Sequence, residues 1–543
     1  MTDIDEVAPS RVAMPSADLK TLVSRAAIAA LSALLVFSLF LRLMNYEMRK
    51  DEQLYVPPIR LLDHYRLYED FFYNHPPGSA WLFHWIGATV GSNHLLFSGR
   101  LSVFLAWILF LAAIGGITYA LTRSGLISWC VAALTVANDL FLTQTGMAAT
   151  NNFLPLPFAF TGLGLFVLAA RERHPKPFLI GVAGLCLSLA VAFKISAVAF
   201  IPPVAVAAFL LPRAYRFKDR ILRVVAPLAA GGLVGGMPIL IPLVSAPQRF
   251  LAHVAQYHTG PHLQYWRMTN APGEDQALTL TEKLLLAQGI WFSAAGAVAI
   301  SLLLALLLTA FQAPDGSGRE RLFRIINGPL LVVAGALICS AAMSLLPTPS
   351  FPQYFAPPLI CLPLGLALLF GSLAPETRKR LQPVVVAATL VVLAIEVPRL
   401  AQYIGTAARP DRWTVTRVHD AGVAISQRIA AARAEGKVAT LSPIYPLEGG
   451  LEVYPELATG PFVYRTAAFT DHDLATWYTM TSPDLIAAMF DADPPGALLL
   501  GFDEVLERPM LDFARRNGYT PMTELGFKDR YGSPVLYLRP PQK

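Results

Sequence analysis

The chain has 543 residues, of which 55% are hydrophobic and only 15% are charged. Soluble proteins carry about 25% charged residues, so this composition excludes an ordinary soluble domain. The net charge of +6 could indicate nucleic acid, but the basic residues cluster between apolar runs, where they orient a membrane protein. We therefore expect a lipid bilayer around the chain and no nucleic-acid partner.

Apolar runs of about 20 residues, the length that crosses a bilayer, recur along the chain. After a cytoplasmic tail over 1–21, we predict a transmembrane domain over 22–401. The first run is too long for a signal peptide and lacks a cleavage site, so we interpret it as a retained span. About eleven spans are predicted, near 24–44, 95–121, 126–143, 152–170, 178–195, 197–212, 224–245, 286–311, 325–346, 354–372 and 383–401.

The basic connections all fall on one side of the membrane if the amino terminus is cytoplasmic. They are Arg123 and the segments 171–177, 213–223, 316–324 and 376–380. This distribution obeys the positive-inside rule and favours a bacterial inner membrane. It places the other connections outside, namely 45–94, 144–151, the turn at Lys194, 246–285, 347–353 and everything after about 402.

Residues 402–543 have the pattern of a small extracytoplasmic α/β domain. A helical pattern over 411–436 ends at Gly436, and a strand pattern, "KVATLS", follows it. A strand over 496–502, a helix over 503–517 and two final strands, "PMTEL" and "SPVLYL", complete the pattern. The predicted fold class is therefore an α-helical polytopic membrane protein with a carboxy-terminal α/β domain.

The first external segment contains adjacent acids, Asp51 and Glu52. Residues 57–74 have apolar side chains at helical spacing and predict a helix lying in the membrane interface. A second amphipathic piece over 79–87 follows the rigid His75-Pro76-Pro77 turn. A plain connector would not require adjacent acids against the membrane surface, so the segment is a candidate active site.

These residues resemble a known family. A span followed by "DEQLY", interfacial helices, "HPPG" and a span opening with "SGRL" is similar to GT-C glycosyltransferases of the protein O-mannosyltransferase and lipid A aminoarabinose transferase type. The resemblance extends to "LSLAVAFKISAVAFIPP" (187–203) and "PQYFAPPLICLPLGLALL" (352–369), and covers about residues 20–400. It implies transfer of a sugar from a polyprenyl-phosphate carrier to a hydroxyl acceptor on the external face, the acceptor being an envelope glycan, a lipid or a protein.

The resemblance implies that Asp51 is the catalytic base, with Glu52 orienting or assisting it. The chemistry agrees, because a carboxylate at the membrane boundary can take the proton of an acceptor hydroxyl. The competing interpretation is that either acid caps an interfacial helix.

The leaving lipid phosphate needs fixed cations. Lys194, between two apolar runs, is the first candidate, and snorkelling to the interface is its alternative role. His75 could contact phosphate or make a structural hydrogen bond, and Arg100 could contact phosphate or snorkel. Arg267 is a further phosphate candidate.

The external loop over 253–275 is rich in His, Tyr, Trp and Arg. Its aromatic rings, Tyr265 among them, could stack on a sugar or form an interfacial belt. Tyr354, in the late Tyr-Pro-rich segment, is a further substrate-binding candidate. His258 and His262 have helical metal-ligand spacing, but Pro261 between them weakens a shared helix.

One departure from the family pattern concerns metal binding. Relatives often carry an acid where this chain has Asn151 and Asn152. Asn152 could orient an acceptor but is a poor ligand for a divalent metal, whereas Asp139 could supply the missing charge. The sequence thus predicts no definite cofactor and puts a divalent metal in doubt.

Two other classes of function compete with an enzyme. A transporter or flippase of lipid-linked sugars would place ionisable groups near the membrane midplane and often has internal repeats. Here the polar residues gather at one face and no repeat is visible. A catalytically inactive assembly scaffold is compatible with the same residues, and a variant of Asp51 would distinguish it.

Overall fold

The computed structural model describes residues 19–91, 93–269, 276–311, 320, 328–523 and 525–541. Apolar helices form a bundle, and a small domain that contains a β-sheet packs against one end of it. The segment that joins the first two long helices lies at this same end.

Each predicted apolar segment coincides with helix in the described residues. Within the described residues, six helical stretches are long and apolar enough to span a membrane: Ala26–Asn45, Leu95–Thr122, Phe217–Ser245, Ala294–Phe311, Pro352–Ser372 and Pro375–Thr406. Five further apolar helices are shorter: Gly125–Val136, Pro155–Arg171, Pro177–Phe193, Ile195–Leu210 and Pro329–Leu345. The four cysteines are unpaired, and all except the half-buried Cys339 are buried.

Two predicted spans end or break earlier than their hydropathy indicates. The span predicted over 126–143 is helical only as far as Val136, and the Asn138 side chain accepts a hydrogen bond from the amide of Leu140. This local bond competes with helical pairing and leaves Asp139 in a turn. The span predicted over 286–311 is two helices, Leu280–Trp291 and Ala294–Phe311.

The interfacial helix predicted over 57–74 is wrong. Helix is confined to Glu52–Tyr55 and Pro58–Leu61, and Tyr68 has a positive φ of 69° that turns the chain. Residues 71–73 are aromatic and completely buried, which a one-sided amphipathic helix cannot achieve. The second predicted piece is helical, over Gly78–Val90.

The segment predicted as an external loop over 246–285 is largely helical as far as Met268. Its elements are Pro247–Leu251, Ala252–Gln256, Tyr257–Thr259 and Pro261–Met268. Pro261 begins the last of these, a position where proline is favoured, and residues 270–275 lie outside the described part of the chain.

The carboxy-terminal domain contains a four-stranded sheet in the order β1-β2-β4-β3. The strands are β1 (Val438–Ala439), β2 (Ala497–Leu500), β3 (Thr520–Met522) and β4 (Val535–Leu538). β1 pairs with β2 in parallel, whereas β4 is antiparallel to both β2 and β3. The longer helices are Thr414–Ala431, Ile486–Ala492 and Arg508–Arg516, so the predicted α/β fold is confirmed with shorter elements than expected.

This domain is attached directly to the acidic segment. The amide of Ile444 donates to Oε1 of Gln53 over 3.0 Å, and Gly460 lies so close that a Cβ there would be 2.9 Å from the Cβ of Gln53. The amide of Leu96 donates to the carboxylate of Glu448 over 2.8 Å. The domain therefore packs on the residues beside Asp51.

Candidate active site

A cavity of about 540 Å³ lies where the helix ends meet the carboxy-terminal domain. Its walls come from the acidic segment, the His-Pro-Pro-Gly turn, the histidine-bearing helices, the Phe351–Tyr354 region and the domain itself. The predicted site residues that line it are Asp51, His75, Asp139, Asn152, Lys194 and Tyr354.

The two adjacent acids have different surroundings. Asp51 faces the cavity and accepts a hydrogen bond from Nε2 of Gln144 over 2.6 Å. Glu52 points the other way, is completely buried and forms an ion pair with Arg100. Asp51 can meet a substrate, whereas Glu52 holds the segment in place.

Lys194 stands between the Pro177–Phe193 and Ile195–Leu210 helices rather than within either. Its ammonium donates to Oδ1 of Asn152 over 2.6 Å and lies 4.6 Å from the ring centroid of Tyr354. Burial lowers the pKa of Lys194 to about 7, and the charge of Asp51 partly opposes this shift. A negatively charged ligand in the cavity would restore the full charge of Lys194.

Three histidines continue from Lys194 along the cavity. The ring centroids of His75 and His258 are 5.2 Å apart, and those of His258 and His262 are 5.6 Å apart. Burial lowers the pKa of all three below the ordinary value for histidine, which favours their neutral forms. Gly78 permits this arrangement, because a Cβ there would lie 2.5 Å from the carbonyl oxygen of Ala192, close to Lys194.

The carboxy-terminal domain, which the sequence suggested could cover the cavity or engage the acceptor, supplies one of its walls through residues that the sequence analysis did not single out. Phe462, Arg465, Arg530 and Tyr531 line it. Arg465 lies on a short irregular stretch after a single helical turn, where no periodic pattern marks it. An arginine surrounded by aromatic residues in "GPFVYR" was the available signal.

Asp139 forms an ion pair with Arg399, which also lines the cavity. The negative charge that Asp139 was predicted to supply is therefore compensated by Arg399. Among the described residues, no group of three or more His, Cys, Asp or Glu side chains could hold a metal ion.

Four predicted site residues do not line the cavity. Glu52 and Arg100 are buried in their ion pair, so Arg100 neither snorkels nor lies where a phosphate could contact it. Arg267 is exposed on the Pro261–Met268 helix, and Tyr265 covers the side chain of Arg465 from outside the cavity.

Comparison with known proteins gives one sequence match and several structural ones. Residues 59–253 match the family model of dolichyl-phosphate-mannose-protein mannosyltransferase. A comparison with curated protein sequences finds no match. The crystal structure of ArnT from Cupriavidus metallidurans bound to undecaprenyl phosphate superposes with a TM-score of 0.58 at 15% identity, over 97% of this chain and 100% of that one.

The apo structure of the same ArnT gives a TM-score of 0.58 and 15% identity over 96% of this chain and 100% of that chain. The chain therefore has the fold of these ArnT structures. The part of this chain that matches the mannosyltransferase model includes His75, Asn152 and Lys194, but neither Asp51 nor the wall formed by the carboxy-terminal domain.

Proposed function

We propose that this protein is an inverting membrane glycosyltransferase that moves a sugar from a polyprenyl-phosphate carrier to a hydroxyl acceptor on the external face of a bacterial inner membrane. One observation carries the proposal: Asp51 and Lys194 face the same cavity, close enough for the charge of Asp51 to raise the pKa of Lys194. The site thus combines a carboxylate base with a cation for the departing phosphate. The GT-C fold and the mannosyltransferase match support the same chemistry.

The reaction is a single displacement at the anomeric carbon. The acceptor oxygen forms a bond to this carbon while the bond to the phosphate oxygen breaks, and the configuration inverts. The hydroxyl proton passes to the carboxylate of Asp51. The electron pair of the broken bond stays on the polyprenyl phosphate, whose added negative charge Lys194 stabilises.

The surrounding residues position these two groups. Gln144 fixes one oxygen of Asp51, and Asn152 and Tyr354 hold the ammonium of Lys194. The polyprenyl chain lies between the apolar helices, because its hydrocarbon is compatible with lipid rather than with the polar cavity. Acceptors in the envelope reach the cavity from the side of the carboxy-terminal domain.

The test is a transfer assay with purified protein in nanodiscs. A panel of polyprenyl-phosphate sugars is supplied with envelope extract, and wild type is compared with Asp51→Asn and Lys194→Ala. Asn can still accept the hydrogen bond of Gln144, so Asp51→Asn removes the base with little change of shape. We expect at least a ~100-fold loss of rate, the size of a lost general base.

Asp63→Asn is the matched control, because Asp63 is exposed and pairs with Arg60 and the half-buried His84, neither of which lines the cavity. A fully active Asp51→Asn enzyme would contradict the assignment of the base. Movement of a lipid-linked sugar across vesicle membranes without any transfer product would instead establish a transporter.

A further inference from the structure

Cationic side chains in the cavity fall into two groups according to their partners. Among the described residues, Lys50, Arg399 and Arg530 lie in ion pairs with Asp503, Asp139 and Glu47. Arg49 is half-buried and donates to Gln144. Lys194 and Arg465 also line the cavity, and like Arg49 neither has a carboxylate partner at ion-pair distance within the described residues.

Arg465 is 9% exposed, and its Nε is buried without a hydrogen-bond partner. Its guanidinium carbon lies 5.0 Å from the ring centroids of Trp266 and Phe462 and 5.1 Å from that of Tyr265. The aromatic faces hold the cation in place. They offer no acceptor for its N–H groups, and a buried cation without a counter-charge is costly.

Nδ1 of His262 is a second buried polar atom without a partner in the same region. His262 lines the cavity, and its pKa is lowered by burial, by His258 and by the charge of Arg465. An oxyanion that contacts Arg465 would satisfy the guanidinium and lie within reach of His262.

This region is separate from the proposed site of the lipid phosphate. The charge of Lys194 acts on His75 and His258, whereas that of Arg465 acts on His262. Arg465 is at the His262 end of the row, because Trp266 contacts both the guanidinium of Arg465 and the ring of His262. In an inverting displacement the nucleophile attacks the face of the sugar opposite the leaving group. The acceptor therefore occupies the side of the cavity away from the donor phosphate, and a cation on that side can bind the acceptor.

We propose that Arg465, together with His262, binds a phosphate or carboxylate group carried by the acceptor. This inference rests on the proposed function, because it takes Lys194 as the ligand of the donor phosphate. The inference restricts the acceptor: its hydroxyl group belongs to an anionic molecule rather than to any molecule of the envelope.

The test measures two ligands separately on the full-length protein in nanodiscs. Glycerol 3-phosphate is the probe for Arg465, with glycerol as its neutral counterpart, and undecaprenyl phosphate is the probe for Lys194. Trp266, next to Arg465, is an intrinsic fluorescence reporter, and Trp266→Phe identifies its signal. Variants are Arg465→Gln, Lys194→Gln and Arg508→Gln, the last removing an exposed arginine of the same domain.

We expect Arg465→Gln to weaken the binding of glycerol 3-phosphate at least ~10-fold, as for a lost charged hydrogen bond. The affinity for undecaprenyl phosphate should not change. Lys194→Gln should weaken the binding of undecaprenyl phosphate and leave that of glycerol 3-phosphate unchanged. Arg508→Gln should change neither affinity. Arg465→Lys, which retains the charge, should bind glycerol 3-phosphate with intermediate affinity and keeps the test valid if Arg465→Gln does not fold.

Three results would overturn the inference. Wild type could bind glycerol 3-phosphate no better than glycerol. Folded Arg465→Gln or Arg465→Lys protein could bind it as tightly as wild type. Arg465→Gln could weaken the binding of undecaprenyl phosphate instead, which would assign Arg465 to the site of the donor phosphate. Failure of wild type to bind undecaprenyl phosphate would count against the proposed function alone.

Discussion

Glu52 and Arg100 form an ion pair that is completely removed from solvent. Nε and Nη2 of Arg100 each lie 3.0 Å from a different oxygen of Glu52. The amides of Arg49 and Ala149 also donate to this carboxylate. The pair fixes the residue next to Asp51 against the Leu95–Thr122 helix, so we attribute the orientation of Asp51 to this pair.

Removing one partner should destabilise the protein strongly. Arg100→Met leaves the carboxylate of Glu52 buried without its counter-charge, and we expect a loss of about 3–5 kcal/mol in the free energy of unfolding. Arg60→Met, which breaks the exposed pair with Asp63, should cost less than about 1 kcal/mol. Thermal unfolding in one detergent compares the two, and equal effects would refute the structural role of the buried pair.

Binding of the lipid phosphate should depend on pH through Lys194. Because its pKa is about 7, the side chain is charged below this pH and loses its charge above it. The Kd of undecaprenyl phosphate should therefore rise by roughly tenfold for each pH unit above 7. Lys194→Arg, which stays charged over this range, should flatten the profile measured between pH 6 and 9. An identical slope in this variant would exclude Lys194 as the titrating group.

The close approach of Gly78 to the Pro177–Phe193 helix should be necessary for activity. A methyl group at Gly78 would lie 2.5 Å from the carbonyl oxygen of Ala192. Gly78→Ala should therefore displace the end of the helix that precedes Lys194 and cost about 1–3 kcal/mol of stability, as overpacking does. Gly115→Ala is the control, because apart from its own helix backbone and chain neighbours no described heavy atom lies within 4 Å of the added Cβ. Melting temperature and transfer rate should fall for Gly78→Ala only.

Docking of the carboxy-terminal domain should depend on Gly460. This glycine has a φ of 74°, and an added Cβ would contact Gln53. Gly460→Ala should loosen the hydrogen bond between the amide of Ile444 and Gln53 and speed hydrogen exchange at Ile444. Gly450→Ala is the control. Gly450 has a similar φ of 73°, so the substitution causes similar backbone strain, but its added Cβ would have open space around it. If Gly450→Ala speeds exchange at Ile444 equally, the contact with Gln53 does not hold the domain.

Periodicity and hydropathy predicted the helices well, because a bilayer imposes length and apolarity on each one. They failed for residues 57–74, where apolar side chains at helical spacing are buried on all sides. The break at 292–293 is not visible in a continuous apolar run. In the carboxy-terminal domain, strand positions were predictable from alternation and turns, whereas the order β1-β2-β4-β3 depends on long-range pairing.

For the site, the motif around Asp51 and the isolated charge of Lys194 were sufficient to predict two cavity residues. Arg100 looked equivalent to Lys194 in the sequence, since both are cations near helix ends. What distinguishes them is that Arg100 meets Glu52, 48 residues away, whereas Lys194 meets an amide. Arg465 was not predicted, because it reaches the cavity only through the packing of the carboxy-terminal domain against the helices, which the sequence does not reveal.

The shared cavity has a consequence for how the protein matures. Its lining extends from Tyr46 to Tyr531, and a chain synthesised from its amino end inserts the helices before the last wall exists. A newly inserted protein therefore has Asp51 and Lys194 in the membrane part but not Arg465 opposite them. The cavity is therefore complete only after the last domain has folded against the helices, so any ligand that needs both walls can bind only then.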